Sequence, residues 1–328
     1  MDPSSSDDDL RATLRRHTWR WSRADVGDLR TRKATSGTSV AVVLPARNEA
    51  ATVGGIVATI RARLMRQDVP LVDELLVVDA GSTDGTAEVA AEAGARVVEQ
   101  DQVLPEAGPG DGKGEALWKG LAATTSDLVV FVDADILDFD ERFVAGLLAP
   151  LFDDERVAFA KSTYDRPYVT DGLVHAHGGG RVTELLARPL LAAFWPELSW
   201  LAQPLSGEYA GRRELLEQLP FVQGYGVEIA LLIDILDGWG ADAIAQVDLG
   251  RREHDHQSLQ ALGRMAAEIL AVAVDRLERH GLAQVGTEVS RVLPQPVRAA
   301  DGQLDLVLHE VSLSQRPPLA QWRRDATG

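Results

Sequence analysis

Between Ser39 and Asp133, four short runs of strand character alternate with segments of helical pattern, and this alternation constrains the fold more than any other feature. The runs cover 40–45, 74–79, 95–99 and 128–133, and helices are expected over 49–66, 84–93 and 115–123. Strands that are apolar throughout suit parallel pairing in a sheet with helices on both faces. After Ala160 the alternation stops. Helices over 181–194 and 226–236, a strand over 243–249 and a long amphipathic helix over 259–279 are expected there. In an open α/β sheet, ligands sit beyond the carboxyl ends of the strands, so the residues after each strand are the candidates for function.

The fourth run ends in Asp133-Ala134-Asp135. Carboxylates at i and i+2 of an extended chain project to one side, and two hard oxygen ligands there suit a divalent cation shared with a diphosphate. Taken alone, the same spacing marks a turn or a helix cap. The first run is followed by Pro45-Ala46-Arg47-Asn48-Glu49. Structurally, Asn48 reads as an N-cap and Glu49 complements the helix dipole; functionally, the loop faces a uracil and ribose. Asp79-Ala80-Gly81-Ser82-Thr83-Asp84-Gly85-Thr86 follows the second run. It reads as a glycine turn with Ser82 or Thr83 as cap, or as a site where Asp79 accepts from uracil N3 or from ribose.

Gly178-Gly179-Gly180-Arg181-Val182-Thr183-Glu184 exposes backbone N–H groups just before a helix begins, which favours an anion; Arg181 adds a forked donor set and Thr183 a hydroxyl. The structural counterpart is a flexible helix entry with a surface arginine. Glu228 falls in a first helical turn, where an acid is expected on dipole grounds alone. Residues 101–114 hold six glycines and prolines and read as a mobile loop.

Composition narrows the partners. With 33 basic against 50 acidic residues the net charge is -17, which argues against nucleic acid and against adhesion to anionic membrane. An anionic substrate then needs a local basic pocket. The absence of cysteine excludes disulfides, thiolate zinc sites and thiol catalysis. No signal peptide and no apolar stretch of about 18 residues is visible, so a soluble, cytoplasmic protein is expected. A P-loop fails because Ala107 and Gly114 stand where glycine and a hydroxyl residue are required, and Gly224-Tyr225-Gly226 fails as a dinucleotide fingerprint at Ile229.

The strings 45–49, 79–86 and 133–135, in this order and at these strand ends, resemble the GT-A nucleotide-sugar transferases. Gly112-Lys113-Gly114-Glu115-Ala116-Leu117-Trp118, the 178–184 string, Pro204-Leu205-Ser206-Gly207-Glu208-Tyr209 and Gly224-Tyr225-Gly226-Val227-Glu228-Ile229 narrow the match. Together they resemble the actinobacterial glucosyl-3-phosphoglycerate synthases over roughly 39–254. The resemblance implies an α/β, Rossmann-like GT-A fold, mainly parallel with helices on both faces, plus a helical C-terminal extension. The divisions expected are a polar, partly disordered tail over 1–37, with Trp19 and Trp21 as its apolar anchors, and a transferase domain over 38–255. Its nucleotide-sugar half covers about 38–135 and its acceptor half about 136–255. An extension over 256–328 offers room for a dimer contact.

The implied reaction is retaining, metal-dependent transfer of glucose from UDP-glucose to the 2-hydroxyl of 3-phosphoglycerate, with Mg2+ or Mn2+, by a homodimer. By position, Pro45, Ala46, Arg47, Asn48, Glu49, Asp79, Ala80, Lys113, Asp133 and Ala134 would bind the donor, Lys113 at its phosphates. Gly180, Arg181, Thr183, Tyr225, Glu228 and Arg252 would bind the acceptor, and Asp135 and His254 the metal. Glu228 and Asp133 are the catalytic candidates, Glu228 as base, nucleophile or, as favoured here, the group that orients the acceptor hydroxyl. The family carries a further basic residue after the metal histidine, where this chain has Asp255-His256-Gln257. Related transfers from GDP-mannose or to a polyprenyl phosphate, and non-catalytic sugar-nucleotide binding, are the alternatives.

Overall fold

The computed structural model describes residues 3–66, 68–165, 168–170, 173–175, 180–252, 258–284, 290–298 and 303–327. The chain opens with α1 (Pro3–Arg16), β1 (Thr18–Arg20) and α2 (Val26–Ser36). The expected alternation follows as β2 (Val40–Ala46), α3 (Val53–Ile60), β3 (Glu74–Asp79), α4 (Thr86–Ala93), β4 (Arg96–Glu99), α5 (Lys113–Ala123) and β5 (Leu128–Phe131). Next come α6 (Arg142–Asp153), β6 (Phe159–Asp165), the short pair β7 (Tyr168–Thr170) and β8 (Leu173–His175), and α7 (Arg188–Phe194). β9 (Tyr209–Arg212), α8 (Arg213–Leu216), β10 (Phe221–Val222), α9 (Val227–Trp239) and β11 (Ile244–Arg251) complete the second half. The C-terminal segment contains α10 (Leu259–Arg279), the hairpin β12 (Val292–Arg298) and β13 (Leu304–Glu310), then β14 (Gln315–Arg316) and α11 (Leu319–Thr327).

Eight strands form one sheet in the order β1-β11-β6-β9-β5-β2-β3-β4, parallel except for β9, which runs antiparallel to both neighbours. Alternate residues of β2 explain its unbroken apolar run. Val40, Val42 and Leu44 enter the core on one face, with Val77 and Val130, while Val43 joins Leu76, Val78 and Phe131 on the other. A strand buried on both faces has no polar side to show.

Three expectations need correction. Segment 1–37, read as a partly disordered tail, carries two helices and an edge strand: β1 pairs in parallel with β11, Trp19 opposite Val247. Trp19 and Trp21 pack against the core as anticipated, Leu29 is buried, and Asp25 caps α2 at Asp28 N (2.9 Å). Edge pairing works through backbone groups, so polar composition does not reveal it. The helix expected to start at Glu49 begins only at Val53, because Asn48 lies in the left-handed region (φ 61°). The expected helix over 181–194 contains a π-turn over Thr183–Ala187 just before Pro189, whose missing amide the wider turn accommodates.

The C-terminal extension is only partly helical and is built into the core. Arg276 of α10 makes a forked pair with Asp234 of α9 (2.8 and 2.8 Å), and β14 pairs with β10. Leu319 of α11 is buried, and Trp322 meets Trp118 edge-on at 5.9 Å. Among the described residues no helix is long and apolar enough to cross a membrane.

Candidate active site

The carboxyl ends of β2, β3 and β5 open onto a cleft of about 1450 Å3, larger than the roughly 300–1,000 Å3 of a site for one drug-sized ligand. Pro45, Ala46, Arg47, Glu49, Ala80, Lys113, Asp133, Ala134 and Asp135 line it, as do Gly180, Arg181, Thr183, Tyr225, Glu228 and Arg252. The structure thus brings together most of the residues singled out in the sequence. His254, Gly178 and Gly179 lie outside the described residues.

Asn48 and Asp79 sit behind the lining. Asn48 is not the N-cap; its amide donates to Ser82 Oγ (2.9 Å) and its Oδ1 accepts from Thr83 N (2.9 Å), so it cross-links the loops after β2 and β3. Thr52 holds the N-cap position instead. A second cross-link runs from Glu49 N to Thr86 Oγ1 (2.8 Å). Asp79 is buried; its Oδ2 accepts from Ser82 N (3.1 Å), while its buried Oδ1 has no hydrogen-bond partner among the described residues. An unmatched buried carboxylate oxygen is costly, and a ligand N–H would satisfy it.

β5 ends at Phe131, and Ala134-Asp135 form a turn, so the two aspartates converge through a bend and not through strand alternation. They also divide their partners. Lys113 Nζ lies 2.6 Å from Asp133 Oδ1 and 3.0 Å from Glu228 Oε1, whereas Asp135 Oδ1 accepts from Arg252 Nη2 at 3.0 Å. Burial alone would lower the Lys113 ammonium, but Asp133 and Glu228 outweigh it and hold its pKa well above the usual lysine range. Lys113, expected on a mobile loop, is in fact the first residue of α5. Gly114 makes this possible: its amide donates to Gln223 O (2.9 Å), and a Cβ there would stand 1.7 Å from Val222 O.

Arg252, expected to contact the acceptor, has its Nη groups on Asp135, on Glu208 and on Tyr164 Oη (2.7 Å). Glu208 Oε2 also accepts from Ser162 Oγ (2.9 Å) and Tyr164 Oη (3.0 Å). This buried network sets the direction of the Asp135 carboxylate. Below it, Lys161 donates to Ser206 O (2.6 Å), and burial pushes its ammonium down to about 8 against the pull of Glu228. Glu208 and Gly207 belong to a string that the sequence comparison matched, yet no local feature assigned them a role. Lys161 and Tyr164 carried no signal.

Burial, then Asp135, Asp133 and Asp84, push the Glu49 carboxyl up to about 7. Burial and Asp133 likewise raise Asp135, against Arg252. Crowded hard-oxygen donors of one sign fit Mg2+ or Mn2+. Among the described residues no group of three or more such side chains is arranged for a metal. Asp135 with the oxygens of a diphosphate therefore fits the mode in which such ions keep few protein ligands.

On the other wall, Gly180 (φ 89°) precedes the helical segment 181–194, with Arg181 exposed at the rim and Thr183 buried. The Tyr225 amide donates to Glu268 Oε2 of α10 (2.7 Å), and Leu262, Met265 and Ile269 of the same helix extend the wall. Sequence reading had given α10 no place in the site.

Gly207 presses on the centre of the cleft. A Cβ there would lie 2.0 Å from Asp133 Oδ2 and 2.4 Å from Lys113 Nζ. Gly207→Ala is expected to lower kcat on the order of 100-fold by displacing both groups, and to lower the melting temperature as the Lys113–Asp133 pair is pushed apart. Wild-type kcat in the variant would show that their placement is not critical.

The chain matches the model of glycosyl transferase family 2 over residues 41–219. It is 47% identical to the glucosyl-3-phosphoglycerate synthase of Mycolicibacterium smegmatis, over 94% of this chain and 97% of that protein. The mannosyl-3-phosphoglycerate synthase of Rubrobacter xylanophilus superposes with a TM-score of 0.87 at 39% identity, covering 95% and 99% of the two chains. The glucosyl-3-phosphoglycerate synthase of Mycobacterium tuberculosis, 45% identical, has been solved with Mn2+, UDP-glucose and phosphoglyceric acid (TM-score 0.77; 91% and 95% covered). It has also been solved with Mg2+ and UDP (TM-score 0.80; 93% and 99% covered).

Proposed function

The chain belongs to glycosyl transferase family 2 and, within it, to the glucosyl-3-phosphoglycerate synthases, and on that premise we propose a division of labour across the cleft. The enzyme transfers glucose from UDP-glucose to 3-phosphoglycerate with Mg2+ or Mn2+ as cofactor. In the proposed division, the donor lies along the ends of β2, β3 and β5, and the acceptor lies between segment 181–194 and the start of α9. The observation that carries this reading is the Lys113 bridge, one ammonium joining Asp133 of the donor wall to Glu228 of the acceptor wall.

Asp79 Oδ1 accepts the uracil N3–H, within a loop pair held by Asn48, and Pro45, Ala46 and Ala80 border the base. Arg47 and Glu49 flank the nucleotide, and Asp133 with Ala134 borders ribose and sugar. Lys113 keeps a fixed positive charge where negative charge builds on the departing diphosphate. Asp135 holds the cofactor, together with His254 in the family pattern, and Arg252 positions Asp135. When bound, a divalent cation supplies neutralisation of the diphosphate as the anomeric bond breaks. Gly180, Arg181 and Thr183 receive the acceptor phosphate, beside Tyr225. Glu228 already accepts from Lys113, which fits orientation of the 2-hydroxyl better than covalent attack on the sugar. The hydroxyl oxygen bonds to the anomeric carbon on the face that the diphosphate leaves, and its proton passes to the diphosphate, so configuration is retained.

The proposal includes a cytoplasmic homodimer. The exposed Leu304, Leu306 and Leu308 of β13 supply an apolar face for the partner copy. The functional reading is tested by a matrix of UDP-glucose, GDP-glucose and GDP-mannose against 3-phosphoglycerate, scoring nucleoside diphosphate release with and without EDTA. UDP-glucose with 3-phosphoglycerate should be the productive pair, silenced by EDTA and restored by Mg2+ or Mn2+. Faster release from GDP-mannose would transfer the assignment to mannosyl donors. Arg181→Ala is expected to raise the KM for 3-phosphoglycerate about tenfold or more, because a forked phosphate contact is lost. Unaltered acceptor kinetics would remove Arg181 from the phosphate site.

A further inference from the structure

Glu115 lies in the first turn of α5, two residues after Lys113, and is fully buried. The guanidinium that neutralises it comes from 201 residues away. Arg316 Nε donates to Glu115 Oε2 (2.6 Å) and its Nη2 to Oε1 (2.8 Å). We propose that Arg316 is a positioning residue for glucosyl transfer, tying the C-terminal segment to loop 103–112 and thereby fixing Lys113 against the turn that leads to Glu228. This rests on the functional reading above and adds a residue that takes no direct part in substrate contact.

Charge neutralisation alone does not explain the contact pattern. Lys119 Nζ already stands 3.7 Å from Glu115 Oε1. Arg316 goes further: its remaining donors reach Ala107 O and Gly108 O (2.9 Å), and its plane lies over Trp118, 5.6 Å from the ring centroid. Those two carbonyls belong to the glycine- and proline-rich loop that enters the cleft at Asp111 and Gly112. Lys119 also donates to Val103 O and Leu104 O (3.0 Å) of the same loop, but only the planar fork of Arg316 takes both oxygens of Glu115 while its Nη groups reach the carbonyls of Ala107 and Gly108.

The same knot reaches the acceptor wall. Gln223 donates its side-chain amide to Glu115 Oε2 (2.9 Å) and its backbone N to Ser314 O (3.0 Å), and it accepts from Gly114 N (2.9 Å). Tyr225 and Glu228 follow within five residues. The loop read from sequence as mobile is therefore anchored from below by the last strand of the chain. Freed of that anchor, Lys113 loses the frame that holds it midway between Asp133 and Glu228.

The test is Arg316→Lys in the full-length enzyme, which keeps the cation and removes the fork. The KM for UDP-glucose should rise about tenfold, as when a supporting residue behind a reactive group is lost. Hydrogen exchange over 103–112 should quicken while the far-ultraviolet spectrum and melting temperature stay near wild type. A purely structural ion pair would lower the melting temperature and leave KM unchanged; that result, or a folded variant with wild-type kinetics, overturns the proposal. If the variant does not fold, the wild-type enzyme provides the second measurement. UDP with Mn2+ must then slow exchange over 103–112 and 314–317 together, and protection of the loop without the strand overturns it. Wild-type enzyme that binds UDP but fails to turn over UDP-glucose with 3-phosphoglycerate would count against the functional reading instead.

Discussion

Replacing Asp135 with asparagine is expected to lower kcat by at least about 1000-fold at saturating Mn2+, because the anionic oxygen that holds the cation is gone while shape is kept. Folding should be spared. Arg252 retains Glu208 and Tyr164 after the change, so the buried guanidinium keeps its counter-charge. Release of UDP, followed alongside thermal melting, separates the two effects. Residual turnover above a tenth of wild type at saturating metal would rule out Asp135 as the cofactor ligand.

Lys113→Met should be damaging in both respects. It leaves Asp133 and Glu228 facing each other without the ammonium that now lies 2.6 and 3.0 Å from them. Removing one partner of a largely buried ion pair costs about 3 kcal/mol or more, and turnover should fall by at least about 100-fold with the loss of a fixed positive charge near the diphosphate. The pH dependence has a definite sign. In the wild type, the Lys113 pKa is raised by its partners, so its contribution is fully present below the unfolded lysine value and is lost only as pH rises through the higher folded value. At neutral pH it is complete. The methionine variant lacks that contribution altogether, so its deficit should be present at both pH 5 and pH 8. Urea unfolding at the two pH values measures this; a variant as stable as wild type at pH 8 would show that the bridge contributes no stability.

Legibility followed the range of the interaction. β2, β3 and β5 stood out because a strand covered on both faces must be apolar along its length, and Val40 through Leu44 obey that rule; β4, at the sheet edge, showed only Val97 and Val98 between exposed Arg96 and Glu99. Because strand ends are where apolar runs stop, the loops carrying Asp79 and Asp133–Asp135 could be placed at one edge of the sheet before any coordinates. The local geometry was less legible. Asn48 was read as a cap, whereas its left-handed backbone and its bonds to the next loop follow from the pairing of β2 with β3. β1 escaped notice because a polar edge strand is held by backbone bonds to β11, which composition does not register.

What the chain's own order of residues determined was therefore the layered α/β architecture, the family, and which short strings face the cleft, since each follows from burial period or from a local motif. What only the tertiary structure decided was how those strings are joined: Lys113 between Asp133 and Glu228, Arg252 behind Asp135, and Arg316 beneath Glu115. The physical reason is that an ion pair is chosen by which charged atoms the packed elements bring within reach. For Glu115 and Arg316 that meeting depends on β14 pairing with β10, at a sequence separation of 201.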